Sequence, residues 1–438
     1  MRYVSRRVGL GVVVCTLGVL ALVSIGCKTG ADEPTPTPTP VVDKGDQGDV
    51  STPGPPTKAD QALALANNHF GFALLAKLLA AQAKGNVFIS PSSIAMALDM
   101  ALAGAVGNTQ QAMMKALAMK GLTPGDVDQA NLDLRKALAN PDKEVQLSIA
   151  NSLWLSKGID FVPGFLDIGT KSYGAKVSSL DFSSPDAGKT INAWVKDNTG
   201  GKIPEIVADG PMAGMVCVLV NAVYFVGRWT DVFDKAQTKP HPFTLLDGTK
   251  KDLPMMTQSG EYEYVKQPGF EAIRLPYGTK RVAMYIFLPD KSTNVGALCK
   301  KLGEGGWENW TEGMEETPGQ ITLPKFRAEY GVQLNDALQA MGMSVAFDPA
   351  KADFSKMCGK PGDAWIGQVI HKTFVEVDEE GTKAAAATAI QMPGAAAPRP
   401  VTPFNMVVDR PFFCAIVDSL TNTILFMGAI VSPGAIGG

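Results

Sequence analysis

The stretch Glu379-Glu-Gly-Thr-Lys-Ala-Ala-Ala-Ala-Thr-Ala-Ile-Gln-Met392 sets its side-chain pattern against its composition. Alanine is the strongest helix former, so Ala384–Ala387 alone would favour a helix. Read with a period of two, Thr382, Ala384, Ala386, Thr388, Ile390 and Met392 share one parity and are small or apolar. Lys383, Ala385, Ala387, Ala389 and Gln391 take the other, which carries the charge and the amide. Such a segment can form a strand with one buried face. Pro393, Pro398, Pro400 and Pro403 follow, in a stretch that can be neither helix nor central strand. A potential strand joined to a loop that cannot extend it reads as a conformational device.

Working outward, the 438-residue chain is 45% hydrophobic with a formal charge of −3, enough to bury a large core. No basic runs interleave with aromatics, which excludes a nucleic-acid face. At the N-terminus, Arg2, Arg6 and Arg7 precede the apolar run Val8–Ile25, and Ser24-Ile-Gly-Cys27 supplies small residues before a cysteine. This pattern predicts a lipoprotein-type signal peptide over 1–26, lipidated at Cys27; a plain secretory signal or a retained span are the alternatives. Residues 27–59, with Pro34-Thr-Pro-Thr-Pro-Thr-Pro40, read as an extended tether. The expected location is the cell envelope, anchored through Cys27, or the exterior.

Cys217, Cys299, Cys358 and Cys414 have no CxxC spacing, and Cys217 and Cys414 sit in apolar strand-like runs that suggest buried thiols. His69, His241 and His371 lie far apart, so no metal is expected. Neither is a cofactor. No GxSxG, HExxH, SxxK or GxxxxGK[ST] element supports an enzyme.

From Asp60 onward the chain reads as one domain, 60–438. Helical periodicity over Gln61–Ala83 and Ser92–Leu102, the latter opened by Ser90 as N-cap and Pro91, precedes strand signals. These are Val87–Ile89, Val145–Leu155, Met215–Phe225, Ala283–Leu288, Thr373–Val377, Phe412–Val417 and Ile424–Ile430. Helices followed by long strands predict an α+β fold. Met215–Phe225 is apolar on both parities, so it should be central and covered, leaving Asn221 a buried amide in need of partners. His371, Ser90 and Ser93 are candidates, either as one cluster where a sheet could part or as unrelated residues satisfied locally.

Many ordered motifs resemble one family, the serpins. They include Asn86-Val-Phe-Ile-Ser-Pro-Ser-Ser-Ile94, Gly104-Ala-Val-Gly-Asn-Thr109, Ile191-Asn-Ala-Trp-Val195 with Thr199-Gly-Gly-Lys-Ile203, and Asn221-Ala-Val-Tyr-Phe-Val-Gly-Arg-Trp229. Leu323-Pro-Lys-Phe326, Met341-Gly-Met343, Ala352-Asp-Phe-Ser355, His371 through Thr382, Asp409-Arg-Pro-Phe412 and Phe426-Met-Gly428 are also similar. The resemblance implies an α+β fold of three β-sheets with about nine helices and an exposed reactive-centre loop, about 379–408. It implies shutter roles for Ser90, Ser93, Asn221 and His371, a breach role for Trp229, and a hinge at Glu379, Glu380, Gly381, Thr382, Lys383, Ala384, Ala385, Ala386 and Ala387. It also implies a metastable suicide inhibitor that forms a covalent acyl complex with a target serine protease.

A monomer is expected, touching membrane only through its lipid. The family's spacing puts the reactive bond at Ala395–Ala396, which suits an elastase- or subtilisin-like enzyme. Met392, Gly394 and Arg399 are the alternatives, because the span to Pro411 exceeds the family's usual length; Arg399 would suit a trypsin-like enzyme, but Pro400 follows it and an Arg–Pro bond is a poor substrate for such enzymes. A non-inhibitory serpin acting as a binding or storage protein is the competing function.

Overall fold

The computed structural model of the chain describes residues 54–82, 84–382 and 402–434. The first helix spans Lys58–Ala81, so it starts inside the expected tether and before the expected Gln61. A capping box explains the earlier start: Thr57 Oγ1 accepts from the Asp60 amide and Asp60 accepts from the Thr57 amide. The second helix, Pro91–Gly104, carries proline at its first position and is buried along nearly its whole length. Ser90 occupies its N-cap position but makes no side-chain cap bond, contrary to expectation; its backbone amide donates instead to His371. Of the ten α-helical segments among the described residues, Asn335–Leu338 and Ser355–Cys358 are single turns of four residues.

Fifteen strands are present among the described residues. In chain order they are β1 Val87–Ile89, β2 Val145–Ser156, β3 Lys176–Leu180, β4 Cys217–Arg228, β5 Lys239–Thr244, β6 Lys250–Gln267, β7 Phe270–Tyr277, β8 Val282–Pro289, β9 Glu315–Pro324, β10 Phe326–Gln333, β11 Ile366–Val377, β12 Gly381–Thr382, β13 Phe404–Val407, β14 Phe412–Asp418 and β15 Thr423–Ile430. They form two hydrogen-bonded ladders. One runs β10-β11-β4-β2-β3, with β12 also paired to β4; the other runs β1-β15-β14-β8-β7-β6-β9-β13, with β5 also paired to β6. The three expected sheets reduce to two ladders because β6 is 18 residues long and serves twice. It pairs with β5 and β9 over most of its length and with β7 through Tyr264–Gln267.

β4 is the central strand that its two apolar parities predict. Leu219, Val223 and Phe225 belong to the main core, while Val218, Val220, Ala222 and Tyr224 join a second cluster with Ile191 and Val195. Those last two residues belong to helix Ala187–Asn198, which covers that face. β4 extends to Arg228, beyond the expected Phe225, because Val145 and Gln146 of β2 pair with Gly227 and Val226. β11 begins seven residues before the expected Thr373, at Ile366. Its polar members Gln368 and Lys372 interrupt the apolar run, yet both pair with β4.

Candidate functional site

β11 and β4 are parallel neighbours, which places distant parts of the chain side by side. Their register sets His371 opposite Asn221, and the β2–β4 register sets Asn151 opposite Asn221. Three polar residues therefore lie in one row across three adjacent strands. Helix Pro91–Gly104 packs against β2 and β4 and brings Ser93 to the same amide.

Asn221 Nδ2 donates to Asn151 Oδ1 at 2.5 Å and to Ser93 Oγ and Ser93 O. Its Oδ1 lies 2.5 Å from His371 Nδ1. The Ser90 amide donates to His371 Nε2 at 3.1 Å, so that nitrogen must be the acceptor. The proton then sits on Nδ1 and is donated to Asn221, which fixes one neutral tautomer. Burial drives the His371 pKa down to about 3, against a smaller upward pull from Asn221. Thr373 Oγ1 adds a bond to the Phe88 carbonyl at 2.7 Å.

Ser90, Ser93, Asn221 and His371 thus converge, with Ser90 contributing backbone and not hydroxyl. Asn151 and Thr373 were missed by reading the sequence. A signal for Asn151 did exist: it interrupts the Val145–Leu155 run as Asn221 interrupts Met215–Phe225.

A second constellation lies at the end of the same ladder. Pairing of β4 with β11 stops at Tyr224–Phe374, and beyond it β12 pairs antiparallel with β4, Gly381 to Arg228 and Thr382 to Gly227. The backbone of Asp378–Gly381 makes the turn: Asp378 N–H donates to Gly381 O at 2.8 Å and Gly381 N–H to Asp378 O at 3.2 Å. Gly381 has φ +128°, and a Cβ there would lie 2.2 Å from the Gly227 carbonyl oxygen. Only glycine fits.

Trp229, 3% exposed, stacks on Tyr277 at 4.3 Å and donates its indole N–H to Asp378 O at 2.9 Å. The amides of Trp229 and Phe233 donate to Glu380 O and Glu379 O. Glu379 is itself buried; its carboxylate accepts from Thr238 Oγ1 at 2.7 Å and pairs with Lys325 at 2.8 Å. Burial works against the Glu379 charge, but the bonds from Lys325 and Thr238 prevail and hold its pKa below the ordinary value. Glu380 pairs with Lys235 at 2.5 Å. Sequence reading offered no signal for these partners, which come from β10's approach and the segment before β5.

The remaining expected site residues fall outside the described residues: Cys27, Lys383, Ala384, Ala385, Ala386, Ala387, Met392, Gly394, Ala395, Ala396 and Arg399. On the far side of that span, β13 pairs parallel with β9, Phe404 to Gly319 through Val407 to Thr322. The four described cysteines are free and buried, and burial raises the thiol pKa of Cys217 and of Cys299 to about 12.

A mixed ladder in which β4 leaves β11 at Tyr224–Phe374 and takes up the two-residue strand β12 instead is the arrangement this chain presents to comparison. Residues 65–433 match the family model described as Serpin (serine protease inhibitor). The chain belongs to the serpin family. It is 37% identical over 385 residues to human leukocyte elastase inhibitor, covering 85% of this chain and 100% of the relative. It is 38% identical to serpin B6 of Macaca fascicularis, covering 85% of this chain and 99% of that one. Among solved structures it is similar to the thermophilic serpin tengpin in its native state, with a TM-score of 0.77 at 32% identity, covering 87% of this chain and 96% of that one.

Proposed function

We propose that the protein is a single-use inhibitor of exported serine endopeptidases with elastase- or subtilisin-like preference. The observation that carries this is the β12–β4 pairing above the point where β4 and β11 cease to pair. Continued antiparallel from Thr382–Gly227, that register would bring Ala384 to Phe225, Ala386 to Val223 and Thr388 to Asn221. The parity of small residues then faces the main core, while Lys383 shares a side with half-buried Val226. Each inserted residue adds ladder bonds worth about 1 kcal/mol net, and roughly a dozen residues are available.

The chemistry is acyl transfer stopped halfway. The protease serine Oγ attacks the carbonyl of Ala395, the amine of Ala396 leaves with a proton, and an ester joins enzyme to inhibitor. The freed segment inserts between β4 and β11, carrying the esterified protease with it, so that water no longer reaches a competent site. Small residues around Ala395–Ala397 suit a narrow S1 pocket, in keeping with the name of the human relative. The signal-like N-terminus supports export and lipidation at Cys27, with the inhibitor acting as a monomer on a tether.

Incubating the protein lacking Met1–Gly26 with pancreatic elastase, subtilisin and trypsin tests this. An SDS-resistant complex with elastase or subtilisin and a released fragment beginning at Ala396 are expected. Clean turnover by all three enzymes would overturn the inhibitory reading.

A further inference from the structure

A cavity of about 510 Å³ lies away from the insertion site, between the β5–β6 turn, the loop after β8 and the segment joining β13 to β14. That volume is ample for a small organic ligand. The walls are tied together: the Thr244 amide donates to Asp409 O at 2.7 Å, and Arg410 Nε donates to Pro289 O at 2.8 Å. Within the turn, the Leu245 amide donates to Thr249 O at 2.8 Å. The site is therefore formed without a ligand.

Its charge opposes that of the whole protein. Lys250, Lys291 and Arg410 line it against a single carboxylate, Asp409, for a net +2. Asp409 is already held by Arg410 Nη1 at 2.6 Å. Among the described residues neither Lys250 nor Lys291 is ion-paired. Asp247, in the same turn, is engaged by the Thr249 amide and hydroxyl. Against a chain of formal charge −3, two unpaired lysines in one cavity make a local well for an anion. Leu245 and Leu246 line the same cavity, and Leu246, 48% exposed, is the most exposed of the three exposed large apolar side chains among the described residues. Cations beside an unfilled apolar wall call for a ligand with one charged end and one apolar end.

We infer that this cavity binds an amphipathic organic monoanion, a carboxylate on a medium-length acyl or aryl body, with Lys250 and Lys291 taking the carboxylate and Leu245 and Leu246 the apolar part. Decanoate serves as the probe and decanol as its uncharged control, each titrated calorimetrically into the full-length protein. Decanoate binds at one site and decanol about tenfold or more weakly. Lys250→Ala with Lys291→Ala weakens decanoate about tenfold and leaves decanol unchanged, while Leu246→Asp abolishes both. All three positions are exposed, so far-UV circular dichroism and melting should match the parent. Raising the salt concentration weakens decanoate alone. Absence of decanoate binding, or binding indifferent to the two lysine substitutions, would refute the assignment.

Discussion

His371 and Asp99 pull the pH dependence of stability in opposite directions. His371 is neutral in the folded state with its pKa lowered to about 3, so below about 6.5 the unfolded chain takes a proton that the folded one refuses. Its contribution is present above pH 6.5 and is lost as pH falls. Asp99 is fully buried, bonded through one oxygen to Asn131 Nδ2 at 2.8 Å, and its other oxygen has no partner in the structure. Burial, reinforced by the charge of Asp128 and only partly offset by Asn131, raises its pKa to about 8. The unfolded chain releases that proton first, so stability falls as pH rises from about 4 to about 8.

The two effects cancel in part over their shared window, and the Asp99 effect stands alone above pH 6.5. The unfolding free energy of Asp99→Asn from urea titrations should therefore rise with pH between 5 and 6.5 by up to about 1.4 kcal/mol per unit and then level off, unlike the parent. A parent and variant with parallel pH profiles would contradict this. At the same scale, Gly381→Ala forces a Cβ against the Gly227 carbonyl at an unfavourable φ. A loss of about 1–3 kcal/mol is expected, with faster exchange of the Trp229 amide, which donates to Glu380 O, as the local sign that β12 has left β4.

Among the elements, β11 and its turn into β12 matter most. The Lys325–Glu379 pair and the Thr238–Glu379 bond hold that turn shut. Lys325→Ala would leave a buried carboxylate with one partner fewer, costing about 1–3 kcal/mol, and should speed spontaneous loss of inhibitory activity at 37 °C. Unchanged half-life would mean the turn is held by the backbone bonds alone. Thr382→Arg should instead leave the half-life intact and turn the inhibitor into a substrate, raising the moles needed per mole of protease about tenfold or more.

These elements also show how far the sequence could be read. β4 was legible because its apolar residues occupy both parities, and Asn221 stood out against them. β14 and β15 were legible for the same reason. The polar edges of β6 and β9 and the first half of β11 were not, because their pairing is set by neighbours distant in sequence. Glu379's partners were invisible for a related reason: an ion pair across the fold leaves no local periodicity. Parity marked Thr382–Met392 as a potential strand, since the face of a strand is a property of the strand alone.

For the molecule as a whole, the reading predicts two states of one covalent composition apart from a single bond. Loop-cleaved protein should melt roughly 20 °C or more above intact protein, given about a dozen added ladder residues in a large domain. Equal melting would argue that no strand is added. The four buried free thiols should resist alkylation in both states, as burial keeps them protonated.

The double service of β6 has a mechanical consequence. One continuous strand cannot slip against itself, so the β5–β9–β13 group and the β7–β8–β14–β15–β1 group must behave as a single frame. The frame keeps hold of the C-terminal flank of the cut segment through β13 and β9, whereas the N-terminal flank belongs to the other ladder. If the bond between them is cut as proposed, one end stays with the stationary part and the other leaves with the moving part. The two ends would then separate for good, and resealing the peptide bond would become a matter of distance before it is a matter of chemistry.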